Sequence, residues 1–183
     1  MKDIKILSNS TNDQYLLRPA TLWGISYVQE ALSLFEKQYP DELRLSQSLE
    51  VAVKYVQGEK RGQELRKVSM AAFKVGKEVS VEGKFVSKAA SAISSVPYTH
   101  TDLNSGEKGW RQARHILGPV VYSAYSLELF NKDANISEKM LKQAVQEAPN
   151  EVITLIKNFP KQPNKGKRLD VLFKKLDAGL RNK

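Results

Sequence analysis

From Thr21 onward, apolar residues recur every third or fourth position through one segment after another, and that period restricts the chain to helices. Leu22, Ile25, Val28, Leu32 and Phe35 share one face of a first helix, with Thr21 as its N-cap and Tyr39-Pro40 as its end. A second helix is expected over 41–57, where Leu45, Leu49, Ala52, Val53 and Val56 align and Gly58 stops the helix. A third over 62–79 turns Leu65, Val68, Ala71, Ala72 and Val75 inward, leaving Arg66, Lys67, Lys74 and Lys77 to water. A fourth over 82–96 carries Phe85, Val86, Ala89, Ala92, Ile93 and Val96 and meets Pro97. A fifth over 109–130 contains Gly118-Pro119, which predicts a kink or break, because proline cannot donate to the carbonyl four residues back. Segments 135–148 and 150–159, divided by Pro149, give two shorter helices. After the linker KQPNKGK, Leu169, Leu172, Phe173, Leu176 and Leu180 form a last apolar stripe. The one stretch that reads as a short strand is 4–7. The expected class is all-α, an irregular bundle of about six to eight helices with largely antiparallel neighbours. We read 1–183 as a single domain, with a core over 20–130 and a basic C-terminal helical extension over 131–183 packed on it.

At 183 residues such a bundle can bury roughly two-thirds of the surface its unfolded chain exposes, so it needs no staples. Cysteine is absent, which excludes disulfide frameworks, thiolate nucleophiles and cysteine zinc sites and points to a reducing cytoplasm. No apolar run approaches the roughly 20 residues that span a bilayer, so no membrane role is expected. The formal net charge of +9 raises nucleic acid, an anionic membrane surface and acidic proteins as partners, and charge alone chooses none of them. Most of that excess lies after 130, where 12 Lys and Arg face 6 Asp and Glu.

Catalysis needs converging titratable groups, and the two histidines, His100 and His115, are the sparse material for it. Together with Asp102 they could approach a metal, yet no H-E-x-x-H, Cys/His set or i,i+4 His pair occurs; no metal, cofactor or catalytic residue is assigned. Phosphate loops, dinucleotide fingerprints and nucleophile elbows are also missing. The chain therefore reads as a binding protein rather than an enzyme. Segment 98–107, YTHTDLNSGE, is the main polar interruption of the helical pattern. With the aromatic and basic residues beside it, Tyr98, His100, Asp102, Trp110, Arg114 and His115 are the expected partner contacts. The alternative is nucleic-acid binding through Lys161, Lys165, Lys167, Arg168, Lys174 and Lys175, gripping phosphates without reading sequence.

The run LWGISYVQEALSLFEKQYPDELRLSQSLEVAVKYVQGE, with Trp23, Leu34, Phe35, Glu36, Pro40, Asp41, Arg44, Ala52 and Gly58, resembles the opening of the Imm-five-like immunity proteins of bacterial polymorphic-toxin systems. Ala71, Ala72, Ala89, Ala90, His100, His115, Gly118, Tyr122 and Ala124 extend the likeness, which covers 20–130. Ser94-Ser95 stands where that family often has Gly-His, and a polar insertion over 102–109 separates the two histidine segments. The resemblance implies an all-helical inhibitor that holds a cognate protein toxin and blocks it inside the producing cell. Given the basic chain, the toxin should present an acidic surface, or the contact should lie on the less basic first half.

Overall fold

A computed structural model describes residues 12–163 and 166–183; the expected strand at 4–7 and Lys165 lie outside them. Among the described residues the chain forms eight α-helices and one 3-10 turn, with no strand. The helices are α1 (Asn12–Gln38), α2 (Arg44–Val56), α3 (Gln63–Val75), α4 (Val81–Ser95), α5 (Gly106–Asn131), α6 (Ala134–Glu147), α7 (Asn150–Asn158) and α8 (Arg168–Arg181). The turn, Val96–Tyr98, follows α4. The all-α bundle is as expected, and short links make chain neighbours such as α3 and α4 pack together.

Helix α5 lies at the centre, touching α1, α4, α6, α7 and α8. Its middle, Ile116, Leu117, Gly118, Pro119, Val120 and Val121, is buried all round, as a helix walled by others must be. The expected break at Gly118-Pro119 is absent, since α5 runs on from Gly106 to Asn131. Proline still forfeits its bond to the His115 carbonyl, but burial on every side holds the helix through it. Gly24 of α1 makes room for the ring: a Cβ there would lie 3.0 Å from Pro119 Cβ and 2.8 Å from Ile93 Cδ1 of α4. At Gly118 an added Cβ would meet Ala92 Cβ at 3.3 Å, so small residues bring α4 and α5 close.

Two expectations about the first helix are corrected. Thr21 is not an N-cap: α1 begins at Asn12, and the buried Thr21 hydroxyl donates to the Leu17 carbonyl at 2.8 Å. Leu22 is exposed, while Leu17, Ala20, Trp23, Tyr27, Val28, Ala31 and Phe35 carry the inner face. Burying each of the larger of these side chains contributes about 1.5–3 kcal/mol. Trp23 donates its indole N–H to the Ala144 carbonyl at 3.1 Å, and the Tyr27 hydroxyl donates to Glu147 Oε2 at 2.6 Å, pinning α6 to α1. Burial, then the Glu147 contact, holds the Tyr27 hydroxyl well above its usual range.

The third helix ends at Val75, short of 79, and the fifth begins three residues early, at Gly106. Gly58 does stop α2's segment, with φ 120°. One cluster of buried apolar residues runs from Leu17 through α5 to Leu180. We expect Gly24→Ala to cost about 1–3 kcal/mol in urea unfolding, because the proline ring cannot yield. Ile93→Val in that background removes Cδ1 and should return part of the loss.

Candidate functional site

The residues singled out between 98 and 115 lie at one end of the α3, α4 and α5 assembly, but they differ in how free they are. Tyr98 is tied down: its hydroxyl donates to the Gly62 carbonyl at 2.5 Å, and its ring lies beneath Arg66 at 4.4 Å and Arg61 at 5.2 Å. His100 and Asp102 are exposed, with Nδ1 and Oδ1 3.7 Å apart. The His100 backbone N–H donates to Gln112 Oε1 at 2.9 Å, which docks this loop on α5.

Arg114 is engaged within the fold. Its guanidinium donates to Asp170 Oδ1 of α8 at 2.7 Å and to Gln162 Oε1 at 2.9 Å, sandwiched between the Trp110 ring at 4.8 Å and Phe173 at 4.3 Å. Asp170 is buried, so this pair joins α5 to α8 where losing the guanidinium would strand the carboxylate. His115 is half-buried; burial, and secondarily the nearby positive charge of His100, pushes its imidazole below the ordinary range. No group of three or more His, Cys, Asp or Glu suited to a metal occurs among the described residues.

The basic tail is partly spent on holding the bundle together. Arg168 pairs with Glu128 of α5 at 2.7 Å and Glu138 of α6 at 3.2 Å, and Lys175 pairs with Glu138 at 2.6 Å. Lys161, Lys167 and Lys174 remain exposed.

Side chains that the sequence reading passed over complete a groove beside His115. Phe73 of α3, Lys88, Ser91, Ala92 and Ser95 of α4, and Arg111, Arg114, His115 and Tyr122 of α5 enclose about 300 Å³. Lys88 and Ser95 follow one another at helical spacing with Ser91 between, on the polar side of α4. That spacing was the available signal, but it also describes an ordinary solvated face.

Fold and site together are an all-helical bundle with a cationic groove beside His115. Residues 13–102, just under half of the chain, match the family model described as Imm-5 like putative immunity protein. The resemblance read from the sequence is borne out over that span. Trp23, Phe35, Pro40, Asp41, Gly58, His100 and Asp102 fall inside it; Trp110, Arg114, His115, Gly118 and Tyr122 fall outside. No curated protein and no solved structure matches the chain. No helix among the described residues is long and apolar enough to cross a membrane.

Arg114→Ala leaves Asp170 buried and unpaired, and should cost about 3–5 kcal/mol in denaturant unfolding, with Asp170→Asn returning part of it. For His115 the folded state disfavours the proton, so its contribution is complete above the unfolded value near 6.5 and is lost as pH falls through the lower folded value. His115→Gln should therefore flatten the fall in stability measured between about pH 7 and the mid-acid range.

Proposed function

We propose that this chain is a non-catalytic immunity protein that binds a cognate toxin and occludes it in the cytoplasm of the cell that produces both. The family match over 13–102 carries this reading. It is supported by the exposed His100 and Asp102 on a loop docked beside the α4/α5 groove, which gives a polar edge next to a partly apolar cleft. Interfaces of this kind place their anchors in a cleft and their charges on the rim. Of the contacts expected from sequence, His100 and Asp102 are free to meet a partner directly. Trp110 and His115 would contribute from their half-buried positions, and Tyr98 and Arg114 would support the shape of the surface.

The test starts from capture. The tagged chain is used to retrieve partners from nuclease-treated lysate of the source organism, and the captured protein is then expressed alone and together with this chain. Growth arrest by the captured protein, relieved by co-expression, is the expected result. A captured protein that is harmless when expressed alone, or retention of nucleic acid only before nuclease treatment, would overturn the reading.

A further inference from the structure

The groove is cationic: Lys88, Arg111 and Arg114 line it, and Arg114 is committed to Asp170 at 2.7 Å. Lys88 is half-buried, its ammonium 5.1 Å from the Phe85 ring centre and 5.7 Å from that of Tyr122, and among the described residues no carboxylate pairs with it. Burial, and secondarily Lys84, lowers its pKa, as expected of an ammonium lacking an anion. No Asp or Glu is among the described residues that line the groove. Arg111 adds a second cation; it touches Glu107 at 2.6 Å but stays largely exposed, so its guanidinium can still reach an incoming group. Ser91 and Ser95 are joined through Ser69, whose hydroxyl lies 3.1 Å and 2.9 Å from theirs, which offers neutral hydroxyls at the groove floor.

The rim has a different character. Met70 and Phe73, one turn apart on α3, are 64% and 53% exposed and together present an apolar patch. Phe73 itself lines the groove. Cations inside and apolar side chains at the edge match a carboxylate carried next to an apolar residue.

We propose that the α3/α4/α5 groove is the docking site for an acidic segment of the protein partner, with a Glu or Asp side chain seated between Lys88 and Arg111 and a neighbouring apolar side chain on Phe73 and Met70. This rests on the immunity reading for the identity of the partner, and on charge complementarity for its chemistry. A chain of phosphates would gain from the cations but has no use for Met70, so a protein carboxylate fits better.

The first test uses a fluorescein-labelled peptide alternating Glu with Leu and Phe, its Gln counterpart, and the full-length chain, read by fluorescence anisotropy. The Glu peptide should bind and the Gln peptide should not, with affinity falling as salt rises. Lys88→Gln and Arg111→Gln should each weaken binding about tenfold, the scale of one charged hydrogen bond, while melting stays at the wild-type value. No binding of the Glu peptide, binding indifferent to both variants, or tighter binding of a single-stranded DNA oligonucleotide that the same variants abolish would overturn the proposal. A second arm separates it from the reading it rests on. If the wild-type chain relieves growth arrest by the captured toxin and the Lys88→Gln, Arg111→Gln double variant relieves it equally, the groove assignment falls and the immunity reading stands. If the wild-type chain gives no relief, the immunity reading falls.

Discussion

The packing of α5 into the cleft between α1 and α4 is the contact on which the bundle depends. It requires a buried proline in the middle of a 26-residue helix, and that proline is accommodated because Gly24 leaves a notch in the facing helix. Close-packed interiors respond to single methylenes, so a notch fitted to one ring also fixes the axial register of the two helices. Once α5 is seated, both of its halves pair with the first turn of α8. The N-terminal turns carry Arg114 towards α8, and the C-terminal turns carry Glu128 towards Arg168.

Those ion pairs explain what becomes of the chain's positive charge. Composition places the excess in the last third, but Arg168 and Lys175 fasten α8 to α5 and α6, and Arg181 pairs with Asp177 on its own helix while donating to the Phe159 carbonyl at 2.7 Å. Partly buried bidentate arginines of this sort set the docking of a helix rather than attract polyanions. Lys88 of α4, in the half of the chain that composition makes less basic, has no carboxylate partner among the described residues.

The class of fold was legible because a 3.6-residue apolar period, repeated through eight segments, has few other solutions. The errors fall where a local signal was outweighed by packing. Thr21 looks like a helix start, yet Leu17 and Ala20 before it are fully buried and hold the earlier turns in the helix. Gly118-Pro119 looks like a break, yet the burial around it outweighs one missing hydrogen bond. The candidate site was half legible. Polar interruption located the His100 and Asp102 loop, but the groove is assembled from the outer faces of three helices, each of which reads by itself as an ordinary wet surface. Nor could spacing reveal that Arg114 faces Asp170, 56 residues away.

The seam of the groove also coincides with the end of the family match. Phe73, Lys88, Ser91 and Ser95 form one wall inside the family-matched segment, whereas Arg111, His115 and Tyr122 form the other wall beyond its last matched residue. Substitutions at the α5 positions of that second wall would therefore reshape half of the groove while leaving Gly24, Pro119 and the crossing they fix untouched.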